Sequence, residues 1–157
     1  MPVYDAVELE VLATYERYVE TRATIIAGDE KWSKLAEFFT EDAVFIDPAW
    51  GRVEGREAIA VFMDESMEGL DWDFPEIWTM VSGTRLVTMF QNRLPQRRSD
   101  GGHFECPGIS VLEYAGDSQF NAETDIINMA HMMEVIGESG WTPAGPMNMP
   151  PANPVRG

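Results

Sequence analysis

A single cysteine, Cys106, leaves no partner for a disulfide within the chain. The two histidines, His103 and His131, stand in no Cys-x-x-Cys or His-x-x-x-His spacing, so the sequence supplies no zinc site. Glycine-rich phosphate loops of the G-x-G-x-x-G and G-x-x-x-x-G-K-S/T kinds are missing, and with them any sequence basis for dinucleotide or P-loop chemistry. Action without a cofactor is the resulting expectation. Positive charge is scarce: 11 Lys and Arg against 27 Asp and Glu give a net −16 at pH 7. That field repels phosphate backbones and anionic bilayers, so neither nucleic acid nor membrane is expected as a partner. Apolar runs such as Ile25-Ile26-Ala27 fall far short of the ~20 residues a membrane helix needs. The start Met1-Pro2-Val3-Tyr4-Asp5 has neither the basic nor the apolar character of a secretory leader, so a cytoplasmic location is expected.

Aromatics and methionines are plentiful, with five Trp, eight Phe, four Tyr and ten Met in 157 residues. They suffice for a core and also for an adaptable apolar cavity. The length suits one domain, 1–157, with 140–157 as a Pro- and Met-rich tail packed on it.

Between Asp5 and about Ala27, Leu9, Leu12, Tyr15, Val19, Ala23 and Ile26 recur at helical spacing, stopped by Gly28-Asp29. A second stripe, Val11, Tyr15, Tyr18, Arg22 and Ile25, widens the buried face toward a pocket. A shorter helix follows through Trp32, Leu35, Ala36, Phe38 and Phe39. Ala43 to Asp47 reads as a strand ended by Pro48, with Phe45 and Asp47 on one face, and Arg56 to Met67 as a third helix with Ile59, Phe62 and Met63 inward. Four strands are expected over 71–81, 84–94, 103–114 and 119–127, divided by turn-forming clusters, then a helix over 128–137. The fold class is α+β: a cone-shaped curved antiparallel sheet with three helices of the N-terminal half on its concave face, enclosing a pocket. The face left bare by the helices is expected to pair with a second copy, giving a homodimer.

The runs Gly28-Asp29, Leu35 to Pro48, Gly51 and Gly55-Arg56-Glu57-Ala58-Ile59, with the closing segment Glu123 to Asn128, resemble the nuclear-transport-factor-2-like superfamily, nearest to its SnoaL-like group. The resemblance implies a fold and not one function, because the superfamily holds isomerases, cyclases, epoxide hydrolases, dehydratases and pure binding modules. Asp47 is similar in position to the proton-abstracting carboxylate of the ketosteroid isomerases, and Asp125 to the last-strand base of the cyclases and epoxide hydrolases. Tyr18 is similar, about one helical turn off, to the isomerases' phenol donor. Cys106-Pro107-Gly108-Ile109-Ser110 carries no acid where the isomerases keep a protonated one, and Pro95 replaces the acid of the hydrolases' Arg-x-Asp unit.

These readings give an expected catalytic set of Asp47, Asp125 and Tyr18. The expected binding set is Phe45, Trp50, Met63, Trp78, Asn92, Arg93 and Ser110, with Asn92 or Arg93 on a substrate oxygen and no metal. The substrate would be a small apolar oxygenated molecule of polyketide, terpenoid, steroid or aromatic type, changed by proton transfer: isomerisation, aldol cyclisation, dehydration or carbon–carbon cleavage. The other reading is a carrier or dimeric scaffold with the same cone and no chemistry, in which Asp47 merely caps a turn and Glu123 and Asp125 are surface charges.

Overall fold

The computed structural model describes all 157 residues. Helix α1 spans Ala6–Ile26 and opens on a capping box: the Asp5 side chain accepts from the Glu8 amide and Glu8 accepts from the Asp5 amide. Its buried face is the second stripe, with Val11, Thr14, Tyr15, Tyr18 and Ile25 enclosed. Leu9 and Ile26 of the first stripe are exposed, a correction that moves the helix's inward face toward its polar residues. The segment expected as a second α-helix is a 3-10 helix, Trp32–Phe38. Trp32, Leu35 and Phe38 recur every third residue, which lines up one face of a three-residue turn.

Strand β1 runs Phe39–Asp47, four residues longer at its start than expected, and β2, Gly51–Glu54, forms where only a turn was expected. Helix α2 is Arg56–Met67, followed by β3 (Glu76–Ser82), β4 (Arg85–Arg97), β5 (His103–Gly116), β6 (Gln119–Ile127) and helix α3 (Met129–Ser139). The expected strand over 71–81 starts only at Glu76. Asp73 and Phe74 ahead of it lie outside the strand, tied to β4 by paired backbone bonds between Asp73 and Arg93.

The six strands make one curved, open sheet in the order β2-β1-β6-β5-β4-β3. Every pairing is antiparallel except β1 with β6, which lie parallel. Alternation decides what faces the helices: Leu86, Thr88, Phe90, Asn92 and Leu94 of β4, and Cys106, Gly108, Ser110, Leu112 and Tyr114 of β5, are buried, while the residues between them are half-covered. One apolar cluster joins α1, α2, the 3-10 helix and the sheet through Phe39, Phe45, Ile59, Leu86, Leu112 and Phe120. A second joins α3 to the far end of β4 and β5 through Leu94, Cys106, Met132, Val135 and Trp141. Fully burying each such side chain is worth ~1.5–3 kcal/mol, so the two clusters clamp the two ends of the concave face.

After α3 the chain does not leave the molecule. Trp141 is buried edge-on against Trp72 and donates its indole N–H to Asp71 (2.8 Å). The tail then runs back across α2 and β2: the Ala144 amide donates to the Gly69 carbonyl (3.0 Å), Asn148 donates to the Glu65 carbonyl (3.0 Å) and the Glu68 carboxylate (2.7 Å), and the Arg52 amide donates to Val155 (2.6 Å). Two glycines seat it. A Cβ on Gly69 would stand 2.7 Å from the Pro146 carbonyl oxygen, and one on Gly51 would clash with that of Val155; both residues have positive φ.

Candidate active site

Between the helices and the concave face lies a cavity of about 270 Å³. Of its 28 lining residues 18 are hydrophobic, so the polar groups that reach it stand in apolar surroundings. Those groups are Tyr18 and Arg22 from α1, Asp47 from β1, Ser66 from α2, Asn92 from β4, Ser110 from β5, Glu123 and Asp125 from β6, and Asn148 from the tail.

Strand periodicity brings the acids together. Phe45 is paired with Glu123 across the parallel β1–β6 ladder, and the same register carried two residues on sets Asp47 beside Asp125. Ser110 is the antiparallel partner of Asp125 and donates its hydroxyl to Asp125 Oδ1 at 2.6 Å. Tyr18 comes over from α1, stacked on Tyr15 with 5.7 Å between ring centres, and donates to Glu123 Oε2 at 3.4 Å inside the core.

The carboxyls differ in environment. Burial drives Glu123 well above the usual carboxylate range; the negative charge of Asp125 and a hydrogen bond to it push the same way, against Arg22 and Tyr18. Burial likewise raises Asp125, to about 7, held back by the Ser110 hydroxyl and by the bond from Glu123, while Asp47 adds to the rise. The two carboxyls titrate as a coupled pair that holds its protons above the usual carboxylate range, Asp125 to about 7. Asp47 is also raised by burial, but the Trp50 and Ala49 amides each donate to its Oδ1 at 2.8 Å and favour the charged form. It caps the turn after β1 as the turn reading expected, but with its carboxyl buried on the cavity wall and not in solvent. Burial first, then the charge of Glu123, raises the Tyr18 phenol well above its ordinary value, so Tyr18 stays a proton donor.

Of the expected binding residues, Phe45, Trp50, Met63, Asn92 and Ser110 line the cavity. Asn92 spends its amide N–H on the Cys106 carbonyl (3.0 Å). Trp78 and Arg93 do not line it. Trp78 pairs with Met89, between the inward Thr88 and Phe90, and so lies on the opposite face of the sheet, 39% exposed. Arg93 sits between the inward Asn92 and Leu94, and its guanidinium pairs with Glu105 (2.6 Å) on that same outer face. Two ionisable residues of the cavity wall, Glu123 and Arg22, were not among the expected site residues. Both were within reach of the pattern, Glu123 two residues before Asp125 on one strand face and Arg22 four after Tyr18 on one helix face. No group of three or more His, Cys, Asp or Glu side chains is arranged to hold a metal ion.

Residues 15–119 match the family described as the SnoaL-like domain. Among solved structures, a protein of Jannaschia sp. CCS1 provisionally assigned as a SnoaL-like polyketide cyclase superposes with a TM-score of 0.68 at 16% identity, over 93% of this chain and 100% of that one. An LEH-like epoxide hydrolase of M. tuberculosis gives 0.63 at 12% identity, over 84% and 92%. An NTF2-like protein of Anabaena variabilis ATCC 29413 gives 0.64 at 17%, over 82% and 95%. At such identities the likeness is one of fold. No curated protein matches the sequence.

Proposed function

The chain belongs to the SnoaL-like family, and we propose that it is a cofactor-independent enzyme that moves a proton on a small, apolar, oxygenated molecule. The observation that carries this reading is Asp125, which accepts the Ser110 hydroxyl, lies two residues from the buried Glu123 on β6 and opens on a mostly apolar cavity. A carboxylate with its proton affinity lifted to about 7 is matched to taking and returning a proton at neutral pH. Tyr18 holds the Glu123 carboxyl through its phenol, and Glu123 in turn raises the proton affinity of the pair it forms with Asp125. Asp47 is the second carboxylate at the cavity, suited to receive or deliver a proton on the other side of a bound ligand. The volume, about 270 Å³, lies just below the ~300–1,000 Å³ usual for ligand sites, which favours one or two rings over larger skeletons.

The chemistry is tested with 5-nitrobenzisoxazole, an apolar bicycle whose ring opens when one base removes one proton. The expected result is turnover that rises with pH through about 7 and falls about 10²–10⁴-fold in Asp125→Asn. Asp47→Asn is expected to cost less, because its Oδ1 is committed to the turn amides. Binding without turnover, unchanged in Asp125→Asn, would favour a carrier with the same cone.

We also propose that two copies associate through the outer face of the sheet, where Met80 and Ile126 are 61% and 57% exposed beside Trp78, Met89 and Ile109. Ion pairs frame this apolar centre, Arg93 with Glu105 at one end and Arg85 with Glu113 at the other, the layout of an interface core with a polar rim.

A further inference from the structure

Asn92, in the middle of β4, is only 4% exposed, and its amide is held by one edge. Its Nδ2 donates to the Cys106 carbonyl oxygen across the β4–β5 ladder at 3.0 Å. A carbonyl oxygen can only accept, so turning the amide over would set two oxygens face to face, and the nitrogen is thereby fixed toward β5. Gly108 leaves room for this arrangement: a Cβ there would stand 3.2 Å from Asn92 Nδ2 and 2.7 Å from Phe90 Cζ. The opposite edge of the amide carries Oδ1, which accepts no hydrogen bond from the protein and is not sealed inside it. Because Asn92 lines the cavity, that is where this oxygen opens. The hydroxyls of Tyr18 and Ser110 give it nothing, being turned to Glu123 and Asp125. An acceptor in such apolar surroundings is unfavourable unless something donates to it.

We propose that Asn92 is a specificity residue whose Oδ1 accepts a hydrogen from a hydroxyl of the ligand, so that the substrate class is a hydroxylated ring compound. Strand register sets where on the ligand that hydroxyl lies. Asn92 stands opposite Cys106 of β5 and Asp125 opposite Ser110, and those two β5 residues are four apart, about 13 Å at the rise of a strand. Asn92 and Asp125 also flank β5 from opposite sides. The hydroxyl therefore belongs to the part of the ligand away from Asp125. The place of the reacting carbon rests on Asp125 as the base, whereas the hydroxyl contact needs only a ligand in the cavity and serves an enzyme or a carrier alike. An analogue without the hydroxyl would cover Oδ1 and leave it without a donor, so the acceptor left unpaired discriminates as much as the bond that is made.

The test compares the affinities of 2-naphthol and of 2-fluoronaphthalene, which has nearly the same shape and no hydrogen to give. The ratio of the two, naphthol over fluoronaphthalene, is expected to be about threefold to tenfold higher in the intact chain than in Asn92→Leu. Asn92→Thr, whose hydroxyl can still accept, should keep part of that preference. An unchanged ratio in Asn92→Leu, or equal loss of both ligands, would overturn the proposal, because the hydroxyl would then be taken by another group such as Asp47. So would absence of naphthol binding by the intact chain, or a ratio in the intact chain no higher than for transfer from water into cyclohexane, a reading that needs no variant. Neither ligand reacts, so the result stands apart from the benzisoxazole assay: a failure there removes Asp125 as the base and leaves the Asn92 contact, and a failure here does the reverse.

Discussion

On the proposed function, Asp125 and Glu123 would tie activity and stability to pH with opposite signs. In the unfolded chain both titrate near ~4, while in the folded protein their protons are held further up the scale, to about 7 for Asp125. Between those values the native state binds protons that the unfolded state has released, so stability falls as pH rises. The contribution is complete below about 4 and is lost as pH passes the folded values, whereas the base needs that same deprotonation to work. Repulsion among 27 acids gives the whole protein a slope of the same sign, so the measurement is a comparison. Thermal unfolding of Asp125→Asn between pH 5 and pH 8 should lose less stability than the parent, by about 1.4 kcal/mol for each pH unit between pH 5 and the folded value of Asp125, about 7. An equal slope in both would mean that the carboxyl is hydrated. At this scale the sequence was legible where strand period two applies: it placed Phe45 with Asp47, and Glu123 with Asp125. It did not settle which face of β3 and β4 turned inward, because the break in register between Glu76 and Trp78 carries Trp78 outward and no turn residue marks it.

At the scale of elements, α1 owes its role to the stripe that ranked second by hydrophobicity. Tyr15, Tyr18 and Arg22 were readable as neighbours, but an apolar count favours Leu9 and Ile26, which are exposed. The tail from Thr142 to Arg156 is the other element with consequences for the site, since Met147, Asn148 and Pro150 form part of the cavity wall. Its Pro-rich composition showed that it would not be helical, but not where it would lie; that is set by amides and carbonyls on α2 and β2. Ending the chain after Thr142 keeps Trp141 in place and removes this wall. The expected result is faster release of bound 2-naphthol, followed by stopped-flow fluorescence, with α1 and the sheet intact by circular dichroism. Gly69→Val should act in the same direction, since its Cβ would press on the Pro146 oxygen and a positive φ costs a branched residue about 1–2 kcal/mol. Unchanged release in both variants would make the tail a passive covering.

For the molecule as a whole, class and helix positions follow from periodicity and turn residues, and the open antiparallel sheet was expected. The parallel β1–β6 pair was not, since a ladder between strands some eighty residues apart leaves no local mark. If the outer face pairs two copies, sedimentation should give twice the 17.7 kDa of the chain, and Met80→Lys with Ile126→Lys should return it to a single mass. A single mass in the parent would show that this face stays bare. β6 is the only strand that touches both the β1–β2 hairpin and the β3–β5 meander. Two pieces of sheet are thus stitched by nine residues, and those nine carry Glu123 and Asp125. No partly assembled chain can own a working pair of acids, and amide hydrogens of β1 and β6 should exchange with solvent together, as one cooperative unit.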